Sequence, residues 1–242
     1  MRQSIAKRLV IALTLLAGIP RVGCAGTVAV LAALDRDLET FKKEVELVGR
    51  PLELGGRPVY QARFNGHPLL VTKTGANPDS VAAMIRWLVE DRHVQAVISV
   101  GPAGALSDRI AVGEVVVAQQ AVLDGGSAAG ATWTLSGIGN CDAHAVGTVV
   151  TVAAFVADQR ERARLRTSYH ADLVDMSAAV IAKECASHHL PCVIIREITD
   201  RAGPDAPQTF DQTLHARRPS VIPSVLCALR RLIDRLPGKG FS

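Results

Sequence analysis

Three short runs of this chain are mainly apolar and do not alternate strictly with polar residues: Thr27–Ala33, Val94–Val100 and Pro191–Ile198. A strand with one wet face alternates apolar and polar residues. A strand that is apolar throughout must be covered on both faces, which is the situation of the inner strands of an α/β sheet. The segments between these runs carry helical spacing. Leu34, Leu38, Phe41, Val45 and Val48 recur at 4-3-4-3 intervals and predict one helix face. Asn77-Pro78 opens a second helix through about Asp91, with Val81, Ile85, Leu88 and Val89 inward. Met176–His188 predicts another, Asp158–Arg166 a short charged one, and Pro219–Leu236 a last one with Val225, Leu229, Leu232 and Leu236 on one side. Asn65-Gly66, between Val59–Phe64 and His67–Lys73, supplies the two positive-φ residues of a tight hairpin turn. Val112–Val122 and Thr148–Phe155 read as further strands, and 127–139 as a loop. One hairpin within otherwise alternating strands and helices predicts an α/β fold: a single-domain mixed β-sheet flanked by helices, residues 27–242.

The charge is distributed unevenly. The chain holds 27 Lys+Arg and 23 Asp+Glu; four of the bases (Arg2, Lys7, Arg8, Arg21) fall in residues 1–26, which contain no acid, so 23 bases face 23 acids in the rest. A balanced body argues against a phosphate-backbone-binding surface, and 4% aromatic residues leave little for base stacking. We therefore expect no nucleic-acid partner. Within 1–26, a basic start, the apolar run Leu9–Ile19 and the small residues Gly23 and Ala25 follow the order of a secretory signal peptide, and the apolar run is too short for a membrane span. The expected location is export to the periplasm, the alternative being the cytoplasm if the leader is not a signal. Beyond Cys24, four cysteines remain, with no C-x-x-C pair and no zinc spacing, so no metal site is expected. Cys185 and Cys192 read as buried free thiols, with a disulfide left open in an oxidising compartment.

In sheets of this class ligands bind beyond the carboxyl ends of the strands. Asp35-Arg36-Asp37, the glycine turn Gly101–Gly104, Phe155-Val156 and Asp200 are the candidates there. The glycine turn by itself reads as a tight strand-to-helix connection. Asp200 follows a strongly apolar strand, where a carboxylate must be hydrogen-bonded, solvated or used. Two carboxylates at separate strand ends suit acid–base work on opposite sides of a bond, without naming the bond.

The segments Val28–Leu38 (VAVLAALDRDL), Gly101–Gly113 (GPAGALSDRIAVG) and Val174–Asp200, with Asp175–Ala182 (DMSAAVIA), Arg196–Asp200 (REITD) and Val112–Val115 as the most specific pieces, resemble the purine nucleoside phosphorylase / methylthioadenosine–S-adenosylhomocysteine nucleosidase superfamily. The likeness continues weakly through Thr209-Phe210-Asp211. It implies cleavage of the N-glycosidic bond of a purine nucleoside, an adenine-containing one with or without a 5′ modification, by a homodimer or higher homo-oligomer without a cofactor; phosphate is the co-substrate in the phosphorylase alternative. It also implies roles. Asp200 matches the aspartate that protonates purine N7, and Asp37 the carboxylate that orients attacking water. Phe155 and Val156 match the base-stacking segment, and Met176 and Ser177 the ribose wall. Gly101 and Pro102 match the water or phosphate site. Three positions depart from the pattern: Asp37 is one methylene shorter than the usual Glu, Ser177 replaces a Glu, and Pro102 replaces a Ser. Ser99-Val100 stand where phosphorylases carry a basic residue, which favours water over phosphate as the nucleophile. The alternatives are a phosphate-dependent phosphorylase and a non-catalytic nucleoside-binding protein.

Overall fold

The computed structural model describes residues 26–75, 77–125, 130–139, 141, 143–216 and 220–236. The expected leader falls, apart from Gly26, outside the described residues. In chain order the elements are β1 (Thr27–Ala32), α1 (Asp35–Lys42), β2 (Glu46–Leu47), β3 (Leu52–Leu54), β4 (Arg57–Phe64), β5 (His67–Lys73), α2 (Pro78–Glu90) and β6 (Val94–Ala105). There follow β7 (Val115–Leu123), β8 (Thr132–Thr134), β9 (His144–Thr151), α3 (Gln159–Tyr169), β10 (Leu173–Asp175), α4 (Ala178–Ser187), β11 (Cys192–Asp200), α5 (Ala206–Ala216) and α6 (Ile222–Arg235). One mixed sheet runs β10-β9-β7-β11-β6-β1-β5-β4-β2, with β3 on β4 and β8 on β7.

The apolar runs serve two cores at once, as their composition requires. Ala29 and Leu31 of β1, Val97 of β6 and Ile194 and Ile198 of β11 face the core beneath α2 and α4. Their neighbours Val28, Val30, Ile98, Val193 and Ile195 face the opposite core, beneath α1 and α6. The period of two along each strand thus delivers alternate residues to two dry layers. Each fully buried Val, Leu or Ile is worth roughly 1.5–3 kcal/mol relative to exposure. Helix starts follow local chemistry. The Asn77 side chain accepts from the Ser80 N–H at 2.9 Å ahead of Pro78, and the Asp158 side chain accepts from the N–H groups of Arg160 and Glu161. The hairpin turn has φ of 50° at Asn65 and 79° at Gly66.

Four readings of the sequence change. The first helix stops at Lys42 instead of continuing to Val48, because Glu46–Leu47 leaves to pair antiparallel with β4 and Val48 is exposed. The expected strand at Thr148–Phe155 is displaced: β9 ends at Thr151 and Phe155 lies in the following loop. Residues 127–129 of the expected loop and Pro219 fall outside the described residues, and Thr132–Thr134 of that loop is strand β8. Most consequential is Gly101–Gly104, which is strand interior and not a turn. β6 continues to Ala105 because it changes partners. Its first half lies between β1 and β11, while Gly104 and Ala105 pair antiparallel with Val174 and Leu173 of β10. Since β10 also pairs with β9, the strands β6-β11-β7-β9-β10 close on themselves. The closure brings the carboxyl ends of β6, β10 and β11 around one opening.

A disulfide joins Cys141 to Cys227 on α6, 86 residues apart, while Cys185 and Cys192 are free and buried. The free state of the last two agrees with their reading as buried thiols.

Candidate active site

The opening at the closed end of the sheet is a cleft of about 170 Å³. Its wall includes Ala33 and Leu34 after β1, Pro102–Gly104 of β6, Phe155 and Val156, Val174–Ser177, Arg196, Thr199 and Asp200 of β11, and Phe210 of α5. Six of the eight expected site residues therefore meet here: Asp200, Phe155, Val156, Met176, Ser177 and Pro102.

The other two do not. Gly101 is absent from the wall; a Cβ at that position would stand 2.6 Å from the Cβ of Ala33, so its glycine permits close packing of β6 on the β1–α1 connection. Asp37 is 1% exposed and likewise off the wall. It lies in a buried charge cluster, its Oδ1 3.4 Å from Arg36 Nε, while Arg36 also pairs with Glu197. Glu197 accepts in addition from the Ser220 hydroxyl at 2.8 Å, and Arg36 donates to the Leu214 carbonyl at 3.3 Å. The cluster ties α1 to β11, to α5 and to the entry of α6. Burial pushes the Asp37 carboxyl up to about 6, against the pull of the Arg36 charge and with the push of Glu197.

Asp200 terminates β11 with its carboxylate buried, 2% exposed. Oδ1 accepts from the Ala202 N–H at 2.8 Å and Oδ2 from the Thr199 hydroxyl at 2.9 Å. Burial holds its carboxyl above the ordinary aspartate range, while those two hydrogen bonds act in the opposite sense and the charge of Asp205 adds to the rise. Gly104 makes room for it: a Cβ there would stand 2.8 Å from Asp200 Oδ1. Thr213 on α5 donates to the Thr199 carbonyl at 3.0 Å, which fixes α5 against the end of β11. Phe210 of the same helix meets the ring of Phe155 edge-on, centroids 5.5 Å apart. The two rings form an apolar jaw, of which Phe155 is 45% exposed.

Beneath Met176 and Ser177 lies a buried polar network that spacing alone did not reveal. Arg196 donates from Nε and Nη2 to Asp175 Oδ2 at 3.0 and 2.8 Å, and from Nη1 to the Ser99 carbonyl and hydroxyl and the Ile195 carbonyl. Asp175 accepts as well from the Thr151 hydroxyl at 2.6 Å and from the N–H groups of Ser177 and Ala178. The pair therefore anchors the start of α4, strand β9 and strand β11 in one place, with the hydrogen bonds a buried ion pair needs. Arg196 and Asp175 sit within the quoted motifs, yet only the topology of β10 beside β6 explains why they meet.

Such a site can press a flat aromatic group between apolar residues and set beside it a carboxyl whose ionisation burial disfavours. Among the described residues no group of three or more His, Cys, Asp or Glu side chains is placed to hold a metal ion, and no helix is long and apolar enough to cross a membrane.

Comparison with known proteins adds independent findings. The family profile described as "Phosphorylase superfamily" matches residues 27–234. A 5'-methylthioadenosine/S-adenosylhomocysteine nucleosidase from Staphylococcus saprophyticus is 25% identical over 200 residues, covering 73% of this chain and 84% of that protein. The crystal structure of the corresponding nucleosidase from Neisseria meningitidis, in complex with methylthio-immucillin-A, superposes with a TM-score of 0.77 at 24% identity, covering 84% of this chain and 98% of that one. The futalosine hydrolase of Helicobacter pylori superposes with a TM-score of 0.73 at 20% identity over 88% of this chain and 99% of that one.

Proposed function

The chain belongs to the phosphorylase superfamily, and we propose that within it the protein is a nucleosidase that hydrolyses the N-glycosidic bond of an adenine-containing nucleoside. The observation that carries this reading is Asp200: a buried carboxyl at the strand end, its ionisation disfavoured by burial, facing an apolar jaw of Phe155 and Phe210. With the purine in the jaw, Asp200 gives its proton to N7 as the C1′–N9 bond breaks and the bonding electron pair passes to the base. A water molecule adds to C1′ and loses a proton, leaving free base and free sugar. General-acid assistance of this kind contributes roughly 10²–10⁴-fold. Asp37 does not touch the cleft, so in this reading it is a positioning residue that acts through Arg36 and Glu197 on the end of β11, and the proton lost by the water passes to solvent.

Water is preferred to phosphate on the donor inventory. Arg196 is the one cation of the described cleft wall, and its guanidinium is committed to Asp175, Ser99 and Ile195. A phosphate dianion would find no open cationic partner there. The reaction as written requires no cofactor. The two nucleosidases named above act on methylthioadenosine and adenosylhomocysteine, and 5′-thio-substituted adenosines are accordingly the first substrates to assay. Incubation with methylthioadenosine, adenosylhomocysteine, adenosine and inosine, with and without phosphate, is expected to release base from an adenine nucleoside at a phosphate-independent rate. Turnover only with phosphate selects a phosphorylase; binding without base release under any condition selects a non-catalytic binder.

Two wider proposals accompany this one. The protein acts after export to the periplasm, which is supported by the charge order of residues 1–26 and by the Cys141–Cys227 disulfide, a bond that persists in oxidising compartments. It works as a homodimer or higher homo-oligomer, a reading supported by a second groove beside the cleft, lined by Val180, Lys183, Glu184 and the exposed apolar side chain of Leu123. Recovery of the native N-terminus from the cell, and light scattering of the purified protein, test these two.

A further inference from the structure

The charges that border the cleft answer one another, with one exception. Asp175 and Arg196 form a hydrogen-bonded pair, and Asp200 accepts from Thr199 and Ala202. Next to Leu34 of the wall, Asp35 Oδ2 accepts from Lys73 Nζ at 2.6 Å. The exception is Arg57. It opens β4 directly after Gly55-Gly56, where the chain turns with φ of 56° and 77°. Because β4 runs antiparallel to β5, this first residue stands at the carboxyl end of β5, the end that the cleft occupies. Arg57 Nη1 donates to the Thr74 carbonyl at 2.6 Å, and among the described residues no carboxylate pairs with the guanidinium. Gly75 is part of the cleft wall, and a Cβ there would stand 4.0 Å from both Nη atoms. Only a glycine backbone therefore separates a half-buried, unneutralised cation from the cleft.

Sheet order decides which part of a substrate reaches this corner. Asp200 ends β11, and β6 and β1 lie between β11 and β5, so Gly75 is three strand spacings from the acid, about 14 Å along the sheet. A purine held on Asp200 with its sugar beside Met176 fills the near part of that span. C1′ is bonded to the base and stays at the Asp200 end, too far from Arg57 for this cation to serve the nucleophile. What continues toward Gly75 is C5′ and its substituent. Thr74 takes one N–H of the guanidinium and leaves a free donor edge, the planar fork that matches the paired oxygens of a carboxylate or a phosphate. A neutral 5′ group leaves that edge unmatched. Resting on the nucleosidase reading, we propose that Arg57 is a specificity-determining residue that binds an oxyanion carried on the 5′ substituent, so that the preferred substrates are anionic 5′-substituted adenosines.

The test reads kcat/KM for adenine release from two pairs of substrates. One pair is 5′-propylthioadenosine and 5′-(2-carboxyethylthio)adenosine, which adds a carboxylate at similar chain length; the other is adenosine and adenosine 5′-monophosphate. In the wild type the anionic member of at least one pair is expected to match or exceed its neutral partner. In Arg57→Gln the anionic-to-neutral ratio of that pair should fall about threefold or more, the size of a charge-assisted contact at a half-exposed rim. Arg57→Lys, which keeps the charge, should retain more of the ratio than Arg57→Gln. A fall in the carboxylate pair alone identifies a carboxylate tail, a fall in the phosphate pair alone identifies a nucleotide, and a fall in both identifies a general oxyanion site. Neutral members favoured in both pairs by the wild type, or ratios unmoved in a folded R57Q protein, overturn the proposal and leave the nucleosidase reading intact. No adenine from any of the four overturns that reading, and this proposal with it. If Arg57→Gln does not fold, the wild-type ratio decides: it should fall as ionic strength rises, and a ratio flat with salt overturns the proposal.

Discussion

The Cys141–Cys227 bond makes a quantitative demand on stability. It closes a stretch of 86 residues that includes β9, α3, β10, α4, β11 and α5, most of the elements around the cleft. In the chain-entropy treatment, cross-linking a loop of this length removes close to 15 cal/mol/K from the unfolded ensemble, or about 4.5 kcal/mol at room temperature. Cys141 is buried beside Ile138 in the core beneath α1 and α6, and α6 presents Val225, Leu229 and Leu232 to that same core. The bond therefore reinforces packing that exists without it, and the folded state should survive reduction with a lower melting point. For a domain of this size each kcal/mol moves Tm by about 2–4 °C, so the expected drop is about 9–18 °C. Thermal unfolding followed by circular dichroism, for the wild type with and without dithiothreitol and for Cys227→Ser, measures it. Reductant should lower the wild-type Tm into this range and leave Cys227→Ser, already low, unmoved. A wild-type Tm that shifts by less than about 3 °C on verified reduction would refute the reasoning, because the staple would then contribute under 1–2 kcal/mol.

Three further outcomes follow from particular contacts. Gly104→Ala puts a Cβ 2.8 Å from Asp200 Oδ1, and Gly101→Ala puts one 2.6 Å from the Ala33 Cβ; both should lose about 1–3 kcal/mol by overpacking. Only Gly104→Ala displaces the acid, so kcat should fall at least tenfold further in it than in Gly101→Ala, and equal losses would argue against that placement of Asp200. Asp37 has a folded-state acidity raised from 3.8 to about 6, so the folded protein holds the proton more tightly than the unfolded chain and its stabilising share is full below pH 3.8 and lost as pH rises through about 6. Relative to Asp37→Asn, the wild type should lose about 2.4 kcal/mol of unfolding free energy between pH 4 and 7, read by urea titration at each pH; a pH-independent difference contradicts the shift. Asp175→Asn leaves the Arg196 guanidinium buried without its counter-charge and is expected to cost about 3–5 kcal/mol in chemical denaturation. A loss below 1 kcal/mol would mean the network does not anchor the start of α4.

What could be read from the sequence was what local chemistry decides. Asn65-Gly66 and Asn77-Pro78 act through their own backbone, and Asp158 caps the helix that begins at the next residue, so these three signals translate directly. The apolar runs of β1, β6 and β11 disclosed a sheet covered twice because burial on both faces leaves no polar alternation. Gly101–Gly104 misled because glycine marks both a turn and a close approach. Here the approach is to Ala33 and to Asp200, neighbours across the sheet that composition cannot reveal. The helix α5, APQTFDQTLHA, was not anticipated: Phe210 and Leu214 are its only large apolar residues, and tertiary contacts hold it, among them the bond from Thr213 to the Thr199 carbonyl. With it, Phe210 was missed as a wall residue, although it lies in the weak tail of the family resemblance. Asp37 was placed by motif at the reaction centre, while the structure sets it one layer back, with Arg36 and Glu197. The pairing of Cys141 with Cys227 depends on how α6 returns across the sheet, which spacing does not encode.

The central claim is that Asp200 supplies the proton for departure of the base, and single-turnover release of adenine from 5′-methylthioadenosine in phosphate-free buffer tests it most directly. Asp200→Asn keeps the shape at the end of β11 and can still accept from the Ala202 N–H, but it has no carboxyl proton to give. The account predicts a fall of roughly 10²–10⁴-fold in the chemical step, with nucleoside affinity and melting temperature close to wild type. An Asp200→Asn protein that binds the nucleoside and releases adenine within threefold of the wild-type rate would contradict it.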